Sequence, residues 1–98
     1  MICAKVYRQG IETLVAACDE DIVGQTFRSK GLKIQVSEGF YRGDSGGEDL
    51  LVSRLEMATI ANLVGKKTIE IAVRHGFVDP ACVIEIGGVP HAQMARMM

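Results

Sequence analysis

The chain has few of the features that would assign it quickly. Proline occurs only twice in 98 residues and there is no biased repeat, so long disorder is not expected outside a Gly/Ser-containing loop and a methionine-rich tail. No stretch reaches the roughly 18 apolar residues that span a bilayer, and the N-terminus carries no basic segment followed by a long apolar run. A protein without membrane contact and with a cytoplasmic location is expected. An excess of one charge is also missing: 11 basic residues face 12 acidic ones, which argues against bulk attraction to nucleic acid or lipid and leaves only local patches. Cys3, Cys18 and Cys82 are odd in number, widely spaced and free of any Cys-x-x-Cys pairing, which argues against a disulfide framework and a zinc knuckle. With His75 and His91 they do not make a tetrahedral metal set, so neither metal nor cofactor is expected.

What is present is a single domain over residues 1–98, with 48% hydrophobic content to build a core. Residues 2–8 and 11–18 alternate around Gln9-Gly10, which predicts a β-hairpin placing Ile2, Ala4 and Val6 on one face with Ile11, Thr13, Val15 and Ala17. The other face, with Cys3, Lys5, Tyr7, Glu12 and Cys18, is expected to be partly open. A short helical turn follows at 19–23, and 31–37 alternates as a third strand. The segment 38–47 holds four glycines and reads as a mobile loop, while 94–98 reads as a frayed tail. Ser45 and Glu48 have capping-box spacing ahead of a helix that begins near Gly47. Residues 58–64 fit either its continuation or a short buried strand. A second helix runs from about Gly65 to His75 and ends at Gly76, 83–86 reads as a last strand, and Pro90 is placed to open a terminal helix. The expected fold is α+β: a small, mostly antiparallel sheet with an N-terminal hairpin and two main helices on one face.

Several segments bear on function. Gly65-Lys66-Lys67-Thr68 resembles the end of a phosphate-binding loop, but Ile60 stands where that loop needs glycine. Two lysines at a helix start can still hold a phosphate with the free amides there. Gly43-Asp44-Ser45-Gly46 has the glycine pair of a single-strand-binding loop, with Phe40, Tyr41 and Arg42 beside it as stacking and phosphate groups; Asp44 and the preceding strand fit that loop poorly. The run Ile86-Gly87-Gly88-Val89-Pro90-His91-Ala92-Gln93 fixes a bend that presents His91 and Gln93. His91 is a candidate acid or base, for which a thiol such as Cys82 would be the nucleophile.

The runs Val15 to Glu20, Gly24-Gln25-Thr26-Phe27, Ala58 to Gly65 and Gly87 to Gln93 resemble an archaeal family, the domain-of-unknown-function 424 family, over nearly the whole length. The resemblance implies a small intracellular archaeal protein, described at family level as expected to bind RNA in connection with translation. It carries no catalytic residues.

Three readings follow. The first is a noncatalytic RNA- or ribonucleoprotein-binding module, with Arg28, Lys30, Arg42, Lys66 and Lys67 on phosphates and Tyr41 or His91 near a base. The second is an enzyme or ligand pocket in which Asn62, Pro90, His91 and Gln93 gather above Gly87 and Gly88. The third is a protein adaptor or homodimer, using the outer face of the hairpin or the methionine-rich tail.

Overall fold

The computed structural model describes residues 1–96. Strands β1 (Ile2–Gln9) and β2 (Glu12–Asp19) form the predicted hairpin. Its two-residue loop is Gly10-Ile11 rather than Gln9-Gly10, so Val6 pairs with Val15 and Ile11 stands exposed in the turn. Moving the loop by one position shifts the pairing by two residues. The side-chain period is also two, so every inward residue except Ile11 keeps its face.

The remaining strands and α-helices are β3 (Thr26–Ser29), β4 (Leu32–Gln35), α1 (Glu38–Tyr41), β5 (Asp44–Gly46), α2 (Glu48–Met57), β6 (Ile60–Val64), α3 (Lys66–Arg74), β7 (Ile84–Ile86) and β8 (Val89–Ala95), with short 3-10 turns at Glu20–Ile22, where a helical turn is expected, and at Pro80–Cys82. One sheet has the order β5-β1-β2-β6-β8-β7, and β3 and β4 form a separate two-stranded ribbon. Among the described residues, β2–β6 is the one parallel ladder of the main sheet, and its crossover carries α2.

Both faces of the sheet are covered, one wholly and one in part. On the first, α2 and α3 bury Leu51, Leu55, Ile69 and Ala72 against Ile2, Ala4, Val15, Ala17, Ala61 and Leu63. On the second, α1 and the ribbon close a smaller core of Cys3, Ala16, Cys18, Val36, Tyr41 and Val64, with Phe27 and Ile34 packed onto it. The outer face of the N-terminal hairpin is therefore covered where Cys3 and Cys18 lie and is no docking surface there.

Four expectations are corrected. Segment 38–47 is structured: the Ser37 hydroxyl accepts from the Phe40 amide to start α1, and β5 pairs with β1. Gly43 approaches β1 so closely that an added Cβ would lie 2.4 Å from the Ala4 carbonyl. Ser45 does not cap α2; it lies in β5 and its hydroxyl donates to Glu20, while Gly47 takes the cap position. Of the two readings left open for residues 58–64, the strand is the one found, as β6. Finally, Pro90 opens no terminal helix. It lies near the start of β8, just beyond the β6–β8 ladder, where a missing N–H is tolerated, and its carbonyl accepts from the Gly65 amide at 2.9 Å. Met94, expected in a frayed tail, is buried in β8; Met97 and Met98 lie outside the described residues.

Candidate functional site

The start of α3 shows why the expected phosphate cradle is not open. Asp19, at the end of β2 and only 8% exposed, accepts from the Thr68 amide and hydroxyl at 2.8 Å each and from the Lys67 amide at 3.1 Å. An internal carboxylate thus occupies the positive end of the helix. Gly65 makes room for it: its φ is +115°, and a Cβ there would sit 2.5 Å from the Asp19 carboxylate. Lys66 and Lys67 remain exposed, but Lys67 borders one concavity with Asp19, Glu20 and Asp21 and another with Glu48, Glu70 and Arg74. A phosphate there would meet carboxylates as well as cations.

Two further members of the expected nucleic-acid set are also spoken for. The Tyr41 ring is 4% exposed in the second core, and burial, with Cys18 next to it, pushes its hydroxyl up to about 12; it cannot stack on a base. The surface pair is instead Tyr7 on Phe40, stacked at 5.3 Å, with the Tyr7 hydroxyl donating to the Phe40 carbonyl at 2.8 Å. Arg42 donates to Glu38 at 2.9 Å and reaches Glu20 at 3.6 Å.

Arg28 and Lys30 do come together, on the β3–β4 ribbon. Arg28 stands directly across from Lys33, and no salt bridge to any of the three is found among the described residues. Like charges opposed across a ladder destabilise it. The turn between them is Lys30-Gly31, with Lys30 at φ 47°, a left-handed conformation that favours glycine or asparagine. The six residues from Arg28 to Lys33 line a concavity of about 490 Å³ in which no acid takes part. Lys33 was not singled out from sequence; it becomes part of the patch only through the ladder register.

The pocket residues divide. Gly87 and Gly88, with φ 60° and 83°, form the two-residue turn between β7 and β8 and are not a pocket floor. Gly87 packs under β3, since a Cβ there would lie 3.0 Å from the Arg28 backbone. Pro90 alternates to the opposite face from His91. Asn62, His91 and Gln93, by contrast, share one sheet face, because Asn62 pairs with Gln93 and Val64 with His91. The Gln93 amide donates to the Asn62 Oδ1 at 2.9 Å. His91 Nδ1 lies 3.0 Å from the Leu63 carbonyl, which can only accept, so Nδ1 carries the proton and Nε2 of the neutral ring is an acceptor. This is the part of the second face that the ribbon leaves uncovered, with Ile60 and Ile84 exposed around it. Cys82 and Ile84 share a shallow cavity of about 220 Å³ with His91 and Gln93, but Cys82 forms no hydrogen bond with His91.

The fold and these features define an α+β domain whose half-open sheet face, bearing amides and an imidazole, lies beside a cationic ribbon. The chain belongs to the family described as protein of unknown function (DUF424), whose model matches residues 7–97. It is similar to the crystal structure of an uncharacterized conserved protein from Methanopyrus kandleri, with 27% identity, a TM-score of 0.80, and coverage of 99% of this chain and 95% of that one. No match is found among curated proteins. Among the described residues no helix is long and apolar enough to cross a membrane, and no group of three metal-ligating side chains is present.

Proposed function

We propose that the protein is a noncatalytic RNA-binding module in which the β3–β4 ribbon holds phosphates and the open sheet face beside it meets unpaired bases. The observation that carries this reading is the Arg28–Lys33 pair. A cross-strand repulsion with no acid to relieve it is unfavourable in the free protein and is relieved by an anion. Lys30 at the turn adds a third cation. The contact is local, which suits a chain of net charge -1. Beside it, Asn62, Gln93 and His91 offer amide donors and acceptors and an imidazole acceptor, the groups that read the edges of splayed-out bases. RNA reaches this surface without entering the protein.

The pocket reading receives support from the shared face of Asn62, His91 and Gln93, but magnitude decides against an enclosed small-molecule site. A cavity of about 220 Å³ falls short of the roughly 300–1,000 Å³ usual for such sites.

The test is a titration of purified protein against structured RNAs with single-stranded loops and against duplex RNA, at several salt concentrations. Salt-sensitive binding that Arg28→Glu/Lys33→Glu weakens, with a shallower salt dependence, supports the reading. Absence of binding at low salt, or affinity unchanged in that variant, refutes it.

A further inference from the structure

Cys3 and Cys18 have no part in the proposed RNA contact, yet the β1–β2 register sets them directly opposite each other. Both side chains lie in the second core, both are fully buried, and both are free thiols. Counting from the hairpin loop, the closing pair Gln9 and Glu12 exchanges hydrogen bonds, and pairs of that type alternate along the ladder to Cys3 and Cys18. Hydrogen-bonded partners have Cα atoms about 5.5 Å apart, inside the roughly 4.4–6.8 Å window of a disulfide. Their Cβ separation, about 4.5–5.5 Å in such pairs, is at or beyond the wide end of what the bond takes. A bridge here would form with slight strain and be readily reduced.

We propose that Cys3 and Cys18 are a reversible dithiol–disulfide pair, oxidised by exchange with a small-molecule disulfide. One thiol loses its proton and attacks the disulfide, forming a mixed disulfide and releasing one thiolate, which takes up that proton. The second cysteine then attacks the protein sulfur of the mixed disulfide, expelling the other half of the reagent as a thiol and closing the Cys3–Cys18 bond. Two electrons and two protons pass to the reagent, which leaves as two thiols. Both side chains lie within the second core, and burial pushes the Cys3 thiol up and that of Cys18 to about 12, so exchange proceeds through local opening of that core. Cys3 lies near the end of β1, which is bordered there by the three-residue β5. The bridge would tie β1 to β2 beneath Tyr41, Phe27 and Ile34, the layer that supports the cationic ribbon.

Cys82 is exposed and is removed in a Cys82→Ser variant, so that only the facing pair can react. This protein is incubated in its native state with glutathione disulfide and peptide-mapped. The expected product has lost two hydrogen atoms, links Cys3 to Cys18, retains no glutathione, melts at a higher temperature and returns to dithiol with dithiothreitol. Cys18→Ala should instead trap glutathione on Cys3. Stable glutathione adducts on Cys3 or Cys18 in the Cys82→Ser protein, or a Cys3–Cys18 link that forms only in denaturant, would overturn the proposal.

Discussion

Asp19 and Gly65 show how much one contact can decide. The carboxylate satisfies two backbone amides and a hydroxyl at the start of α3 from another strand, so it caps the helix from outside the local sequence. Removing it in Asp19→Ala leaves those amides without a partner and should cost about 1–3 kcal/mol, measured by urea denaturation. Gly65→Ala should also destabilise, because the new Cβ meets the same carboxylate and φ is positive. The double variant Asp19→Ala/Gly65→Ala should cost less than the sum of the two, since the clash vanishes with the carboxylate. Strict additivity would mean that the two residues do not share one site. None of this was legible from Gly65-Lys66-Lys67-Thr68, which reads as an open anion cradle when the occupant lies 48 positions away from Lys67. Tyr41 misleads in the same way. An aromatic residue in a glycine-rich segment reads as a surface platform until the tertiary packing of α1 is known.

Between elements, the sequence is most readable where the pattern is local. Alternation in β1 and β2 identified the buried face despite the misplaced turn, and Gly65 and Gly76 marked the two ends of α3. Pairing over distance was not readable: β5 is three residues long and exists because β1 accepts it, and β8 begins at a bend whose glycines also suit a loop. The link between α2 and α3 is another long-range feature with a measurable consequence. Glu48 bonds His75 at 2.6 Å and Arg74 at 2.6 Å, and the His75 hydrogen bond first, then Arg74, hold its carboxyl below the usual range. The folded group therefore stays ionised below the pH at which the unfolded chain takes up its proton. The contribution is full above the unfolded value of 4.5 and is lost as pH falls through the folded one. The melting temperatures of wild type and Glu48→Gln should differ near neutrality and converge in acid below pH 4.5. A constant gap would contradict the link. The ribbon turn supplies a prediction with opposed signs. Lys30→Asn suits φ 47° better and should stabilise the fold by up to about 1 kcal/mol, while RNA affinity falls because a cation is lost. If stability and affinity rise together, the charge at the turn has no role in binding.

For the molecule as a whole, the proposed phosphate and base contacts lie on different parts of the same face, so they can be separated by measurement. Each phosphate neutralised on a single strand contributes about −0.7 to the slope of log affinity against log salt. Arg28→Glu/Lys33→Glu should therefore reduce the magnitude of that slope by at least about 1.4. Lys66→Glu/Lys67→Glu should change it less, because Lys67 stands among Glu20, Asp21 and Glu70. Asn62→Ala/Gln93→Ala should have the opposite profile. It removes an exposed pair of amides and no charge, so the salt slope should hold while discrimination among loop sequences drops by about 1–3 kcal/mol, an extent typical of paired base contacts in DNA readers. His91→Phe keeps a ring on the sheet and deletes the acceptor; it should weaken the same discrimination without touching the slope. If the ribbon variant loses sequence preference and the amide variant loses salt dependence, the assignment of roles to the two surfaces is reversed. If the amide variant changes neither, bases do not reach Asn62 and Gln93, and the ribbon alone accounts for binding.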